Sequence, residues 1–436
     1  MLLQGDALNQ LKVLSDNSVD LLCTDPPYGY SFMGKDWDKA VPSVEVWEEV
    51  LRVLKPGAFA FVMSAPRSDV QWAMIDRLQQ AGFRLDFTPI YWTYASGFPK
   101  AMNIGKMVDK RAGVEREVVG IRKTKAARKM NGGNFLNSGM ELVPELPVTE
   151  PSTPAAKALD GSYGGFQPKP AVEVIIVAMK PLSEKTYVDQ ALANGKGITW
   201  LDDCRVPVGN ETVPRLNKAY ERKGGLNFGD GEDGRLGTTT GHESTGRFPA
   251  NLIVSDDVLN DGRVTKSTGG QSSRATGYGA LGEGTREVLK GVNPGLGDTG
   301  SYSRYFDLDA WAKTLPFLIV PKAAKSEKNE GTEHLPVRQS TGGAAPSSAH
   351  GSIKAPGSNF HPTVKPLKLM SYLITLGSRP GDVVLDPFLG SGTTAIAAKQ
   401  LGRVYIGIER EAEYMDIAQA RLLAAKSPEP ELFAAE

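Results

Sequence analysis

The chain has 436 residues with 50 basic and 50 acidic side chains, so its overall charge is zero and does not announce a nucleic-acid partner. Hydrophobic residues make up 40%, enough for a core in one large domain or two, and no apolar run approaches the ~20 residues of a membrane span. Two cysteines, Cys23 and Cys204, give neither zinc spacing nor a disulfide framework, and Met1–Asp6 lacks the blocks of a secretion signal. The expected setting is the cytoplasm, with no membrane.

In chain order, the pattern predicts a short helix over Asp6–Leu14 and a buried strand over Ser18–Thr24, ending at Asp25-Pro26-Pro27-Tyr28. Trp47, Val50, Leu51 and Leu54 recur at helical spacing, and Lys55-Pro56-Gly57 should stop that helix. Ala58–Met63 reads as a strand, Asp69–Gln80 as an amphipathic helix, and Leu85–Tyr94 as a further strand. Ala171–Ala178 reads as a late strand returning to the same sheet, which makes 103–168 an insertion. Between residues 100 and 130 ten bases face three acids, a local excess of seven suited to a phosphate backbone or to a solvated surface.

From about Pro181 the texture turns Gly-, Ser- and Thr-rich, with brief ordered-looking pieces at Ile198–Val208, Phe248–Val254 and Leu315–Val320. Tyr302, Arg304, Tyr305 and Phe306 could stack on bases or form a small local core. After this region, Val383–Asp386, Pro387-Phe388-Leu389-Gly390-Ser391-Gly392, Thr393–Leu401 and Val404–Glu409 spell strand, glycine turn, helix, strand and terminal acid. The alternation predicts a mostly parallel α/β sheet covered on both faces.

Two motifs carry chemistry. In Asp25-Pro26-Pro27-Tyr28 the prolines donate nothing, so nearby carbonyls stay free as acceptors. Asp25 adds a charged acceptor and Tyr28 a flat face, a combination that would grip a planar ring bearing an exocyclic NH₂, such as adenine. The same four residues also read as a strand-ending turn, and the far end of the chain decides between the two. There, the Gly390-Ser391-Gly392 turn lacks the lysine of a phosphate loop, and Glu409 ends the second strand. This suits a nucleoside without a pyrophosphate, with S-adenosylmethionine the obvious candidate.

On these motifs the chain resembles the site-specific DNA amino-methyltransferases, which methylate adenine N6 or cytosine N4. The order, Asp-Pro-Pro-Tyr first and Phe-x-Gly-x-Gly last, is that of their beta (circularly permuted) class. Gln4-Gly5-Asp6-Ala7 and His361-Pro362-Thr363-Val364-Lys365-Pro366 are similar to two further segments of that class, and Tyr28–Asp38 is similar to phage and prophage members. The resemblance implies a permuted Rossmann-like S-adenosylmethionine-dependent fold: 1–180 as the half with the target-base motif, 181–345 as a loop-rich target-recognition region, and 346–436 as the cofactor half. It implies that Asp25, Pro26, Pro27 and Tyr28 serve the target base. Asp6, Thr363, Lys365, Asp386, Phe388, Gly390, Ser391, Gly392, Thr393, Thr394 and Glu409 would line the cofactor site, with no metal. His361 is expected to be structural. Double-stranded DNA is the implied substrate; a homodimer and a cognate restriction endonuclease stay open. Asp before Pro-Pro-Tyr points to adenine N6, with cytosine N4 and a catalytically silent DNA-binding module as the alternatives.

Overall fold

The computed structural model describes residues 1–29, 39–94, 102–130, 140–165, 171–207, 246–255, 259–260, 262–266, 271–272, 291–292, 299–313, 325–336, 358–361 and 363–426. Its centre is an eight-stranded sheet. In chain order the strands are β1 (Leu2–Gln4), β2 (Val19–Thr24), β3 (Leu54–Ser64), β4 (Ile90–Thr93), β5 (Val172–Met179), β6 (Leu252–Val254), β7 (Val383–Asp386) and β8 (Val404–Glu409). Across the sheet they run β1-β8-β7-β2-β3-β5-β4-β6. Every pairing is parallel except those of β5, which is antiparallel to β3 and β4.

Helices cover both faces, and strand alternation assigns the residues to them. On one face Leu21 and Cys23 of β2 join Phe61, Met63 and Ile175 beneath Leu369 and Leu373 of helix Leu367–Gly377. On the other, Leu22 joins Ala60, Val62 and Ile176 beneath Trp47 and Val50 of helix Val44–Val53 and Met74 of helix Ser68–Gln80. All six residues of β2 are buried; Val19, Leu21, Leu22 and Cys23 supply the apolar contacts, and Asp20 is paired with Lys55 and Lys196.

The expected elements appear with shifted ends. The helix carrying Trp47 stops at Val53, and β3 begins at Leu54, running through Pro56 and Gly57 rather than after them. Lys55 precedes a proline, which disfavours helical backbone there, so the chain extends one turn early. Of the strand expected over Leu85–Tyr94 only Ile90–Thr93 forms; Pro89, with no N–H to offer a ladder, stands just before it. The insertion after β4 holds helix Ile104–Arg111 and a two-stranded antiparallel ribbon, Val118–Met130 with Met140–Thr149, so much of the basic segment lies on one arm of that ribbon.

β6, from the segment that the resemblance assigns to target recognition, forms the edge of the sheet beside β4. Helix Leu308–Ala312 also docks there, with Trp311 edge-on to Tyr372 at 5.0 Å and donating to the Asp203 carbonyl. Its apolar residues were in plain view, but a three-residue strand has too little periodicity to be assigned a partner. Tyr305 sits beside the guanidinium groups of both Arg247 and Arg304, at 4.7 and 4.3 Å. Leu315–Val320 and residues 30–38 of the Tyr28–Asp38 segment lie outside the described residues. Among the described residues no helix is long and apolar enough to cross a membrane, and no cluster of metal-ligating side chains occurs.

Candidate active site

The chain leaves β2 towards β3 on one side of the sheet and leaves β7 towards β8 on the other. Strands β2 and β7 are neighbours, with Leu21 beside Val384 and Leu22 beside Leu385. Where connections diverge in this way, the carboxyl ends of the two strands open a crevice. The two motifs meet there. Thr24 Oγ1 donates to Asp386 Oδ1 at 2.6 Å, a buried bond between residues 362 positions apart. The same Asp386 oxygen accepts from the Phe388 N–H at 3.1 Å, so this carboxylate clasps β2, β7 and the start of the glycine turn. Burial pushes the Asp386 carboxyl up to about 6, while the bonds from Thr24, Thr394 and Phe388 act in the other direction.

On the β2 side, both oxygens of Asp25 are engaged. Oδ1 accepts from Tyr28 Oη at 2.6 Å, and Oδ2 is 2.7 Å from Lys365 Nζ. Pro26 is buried, and Pro27 and Tyr28 are half-buried. The ammonium also lies 3.1 Å from Glu173 Oε2 and donates to Tyr28 Oη at 3.5 Å. Burial alone would lower the Lys365 pKa, but Asp25 and Glu173 raise it well above the usual lysine value, so it stays a cation. For Glu173, burial raises the carboxyl and Lys365 opposes that rise.

Glu173 went unassigned in the sequence, although a trace was there: one carboxylate in the otherwise apolar Val172-Glu173-Val174-Ile175-Ile176. It comes to the crevice because β5 runs antiparallel, placing its first residues at the edge where β2 and β3 end. Tyr94, beyond the end of β4, joins the same wall, its hydroxyl pushed up to about 12 by burial and by Glu173. Lys365, which the resemblance assigns to the cofactor site, is paired with the Asp25 carboxylate.

On the β7–β8 side, Glu409 accepts from the Gly390 N–H and the Glu411 N–H, each at 2.8 Å. It thereby ties the glycine turn to the tip of β8. Burial pushes its carboxyl up to about 7, against the pull of those two N–H groups. Gln4 pairs with Glu409 across β1 and β8, so Asp6, two residues on, stands next to that strand tip. The Asp6 side chain caps helix Ala7–Leu11 by accepting from the Asn9 N–H.

Within the turn, Gly390 has φ +55°, and a Cβ there would meet His361 Nε2 at 2.8 Å. His361 is held by its own segment, with Nδ1 3.0 Å from the Thr363 carbonyl and its ring edge-on to Tyr414. Burial drops its pKa to about 4. Thus the 361–365 segment bridges the glycine turn and Asp25, with His361 at one end and Lys365 at the other. Thr363 is exposed, and contributes its carbonyl to that brace. Gly392, at φ +84°, caps helix Thr393–Gln400, and a Cβ there would lie 3.1 Å from Ala418. Ser391 and Thr393 both accept from Arg421, a guanidinium that burial pushes down to about 10. Those two side chains hold the turn to the body of the protein, and the backbone N–H groups of Leu389 and Gly392 donate to the carbonyls of Ile408 and Leu389.

Comparison with known proteins agrees with this geometry at its C-terminal part. Residues 301–420 match the family model described as DNA methylase, of the N6/N4 type. Over 74 residues the chain is 54% identical to the Type II methyltransferase M.HinfI of Haemophilus influenzae, which is 17% of this chain and 20% of that protein. Over 64 residues it is 53% identical to the Type II methyltransferase M2.DpnII of Streptococcus pneumoniae, 15% of this chain and 24% of that one. The chain thus spans about a fifth to a quarter of the length of these two relatives. Among solved structures, the cytosine-N4-specific PvuII DNA methyltransferase is 15% identical with a TM-score of 0.41, covering 96% of this chain and 85% of that one. The M1.HpyAVI–SAM complex is 15% identical with a TM-score of 0.35, covering 97% and 98%. The match to that family model takes in Lys365, the glycine turn and Glu409.

Proposed function

We propose that this chain is a DNA methyltransferase of the permuted class that moves a methyl group from S-adenosylmethionine to adenine N6 of an extruded base in duplex DNA. The observation that carries the reading is the clasp of Thr24 on Asp386, which sets Asp25 beside the glycine turn in one crevice. The donor set fits the cofactor. Carboxylates at the ends of adjacent strands, Glu409 and Asp6, suit ribose hydroxyls and an adenine amino group. The row from β1 to β2 spans three strand spacings, about 14 Å at ~4.8 Å each, room for a nucleoside with a short arm. When bound, S-adenosylmethionine supplies a sulfonium-activated methyl group.

The residues of this chain do the rest. An adenine amino nitrogen is a weak nucleophile because its lone pair is delocalised into the ring. A hydrogen bond from that amine to Asp25, and one to the Pro26 carbonyl, favour pyramidal nitrogen and return the lone pair to it. Nitrogen gains positive charge during attack, so the Asp25 carboxylate stabilises the transition state more than the ground state. Placing the nitrogen in line with the donor carbon supplies a further share through proximity.

Extruding the base costs a few kcal/mol, and stacking on the Tyr28 ring returns roughly 1–3 kcal/mol. The run of bases that falls on the ribbon strand Val118–Met130 supports duplex contact through phosphates. The identity of Asp25 supports adenine over cytosine. Incubation with unmethylated DNA and S-adenosylmethionine, nucleoside digestion and mass analysis tests this reading. N6-methyladenine is the expected product; N4-methylcytosine alone, or no modified base, refutes it.

A further inference from the structure

The proposed reaction gives Asp25 the task of accepting from the target amine, yet both of its oxygens are engaged, by Tyr28 and by Lys365. The ammonium sets a second problem. Left at 2.7 Å from Asp25 Oδ2, it would lie close to a nitrogen that becomes cationic as the methyl arrives, and like charges would oppose the step. Glu173, on β5 and part of neither motif, places Oε2 3.1 Å from this ammonium. That oxygen is buried, and although it is within ion-pairing distance it has no aligned hydrogen bond. A buried carboxylate oxygen with no aligned donor is a poor resting state and a ready acceptor.

Resting on the proposed function, we infer that Glu173 is the positioning residue for Lys365, the seat to which the ammonium shifts when a target amine enters. The shift moves the lysine's charge away from the reacting nitrogen and frees Asp25 Oδ2 to accept from the amine. Two carboxylates sharing one ammonium also leave one negative charge in excess at the pocket. That excess faces the charge developing on the nitrogen, and it vanishes if either acid is neutralised. Glu173 does this through Lys365 and Asp25 without touching the substrate. Tyr28 on its loop and Tyr94 beyond β4 are the neutral walls of the cluster, and His361, depressed by burial, adds no competing charge.

The test is a double-mutant cycle on the full chain with Glu173→Gln and Lys365→Met, measuring methyl incorporation into unmethylated DNA, S-adenosylmethionine affinity by calorimetry, and melting temperature. Glu173→Gln should lower kcat by about tenfold or more while KM for DNA and cofactor affinity stay within about twofold. In the Lys365→Met background the same change should cost less than about threefold, because the ammonium it positions is gone. Equal losses in both backgrounds would overturn the inference, as would an unchanged kcat or a parallel loss of cofactor affinity. Should Glu173→Gln alone melt early, comparing the double variant with Lys365→Met decides, since there the buried charges are removed together. Wild-type methylation in the same assay judges the proposed function independently of all four comparisons.

Discussion

Replacing Asp25 by alanine removes the charge nearest the reacting nitrogen and leaves Lys365 paired with Glu173 alone. A full unit charge about 4 Å away is worth about 4 kcal/mol at an effective dielectric near 20, so a half-developed charge gives about 2 kcal/mol. Loss of a hydrogen bond to a charged group adds about 1.5–3 kcal/mol. Together the barrier should rise by about 4 kcal/mol, which is roughly a thousandfold in kcat. Cofactor affinity should barely move, because the turn at 390 is held by Glu409 and Arg421 rather than by Asp25. The fold should also survive, since Lys365 keeps one counter-ion and Asp25 is partly exposed. Single-turnover transfer of labelled methyl groups to DNA, beside calorimetric titration of S-adenosylmethionine, reads both quantities. If the two fall by the same factor, Asp25 belongs to the cofactor pocket; if transfer stays within tenfold of wild type, the electrostatic argument is wrong.

Other expectations follow from the clasp and the turn. Glu409 sits at about 7, so its carboxylate is mostly protonated at pH 6 and mostly ionised at pH 8. Calorimetry should therefore find the cofactor bound about tenfold more tightly at the higher pH, a dependence that Glu409→Gln should abolish. The same raised values of Asp386 and Glu409 mean that the folded state holds protons the unfolded chain has released. These two groups lower stability as pH climbs from about 4 towards 7, while His361, depressed to about 4, raises it over part of the same window; replacing both acids by their amides should therefore remove the downward part of the pH dependence of the denaturant midpoint, and an unchanged profile would contradict their burial as acids. Gly390→Ala forces a side chain onto a backbone at φ +55° and into His361; at roughly 1–2 kcal/mol for the backbone alone, cofactor affinity should weaken about tenfold in the same titration. Thr24→Val keeps the shape but strips Asp386 of its donor. Equilibrium denaturation should register a loss of about 1–3 kcal/mol, and no change would show that the clasp contributes nothing.

The legible parts of the site were those whose chemistry sits in consecutive residues. Asp25 to Tyr28 and Phe388 to Thr394 announce themselves because prolines and glycines restrict or free the backbone locally, whatever the rest of the chain does. Lys365 was visible as a residue but its partner was not. Two carboxylates were available in principle, and only the placement of β5 brings Glu173 to it. Asp386 stands beside the glycine turn in the sequence, and only its observed bonds show that it also joins β2 to that turn. Ser391 and Thr393 stood in a glycine motif, yet Arg421, thirty and twenty-eight positions away, draws their side chains into the protein.

Residue order alone pointed to the longer strands and helices of the sheet, because periods of two and of 3.6 residues depend only on near neighbours, but not to β1, helix Ile104–Arg111 or the ribbon after it. It also settled that β2 and β3 lie deep inside, since their apolar runs leave no polar face for water. Neighbourhood across the sheet was decided by the tertiary structure: β7 against β2, β5 reversed between β3 and β4, and β6 on the edge. Such pairings join segments hundreds of positions apart through backbone groups that every residue carries alike, so no local pattern encodes them. The crevice at the ends of β2 and β7 is a product of those pairings, and so is the carboxylate of Glu173 at its wall.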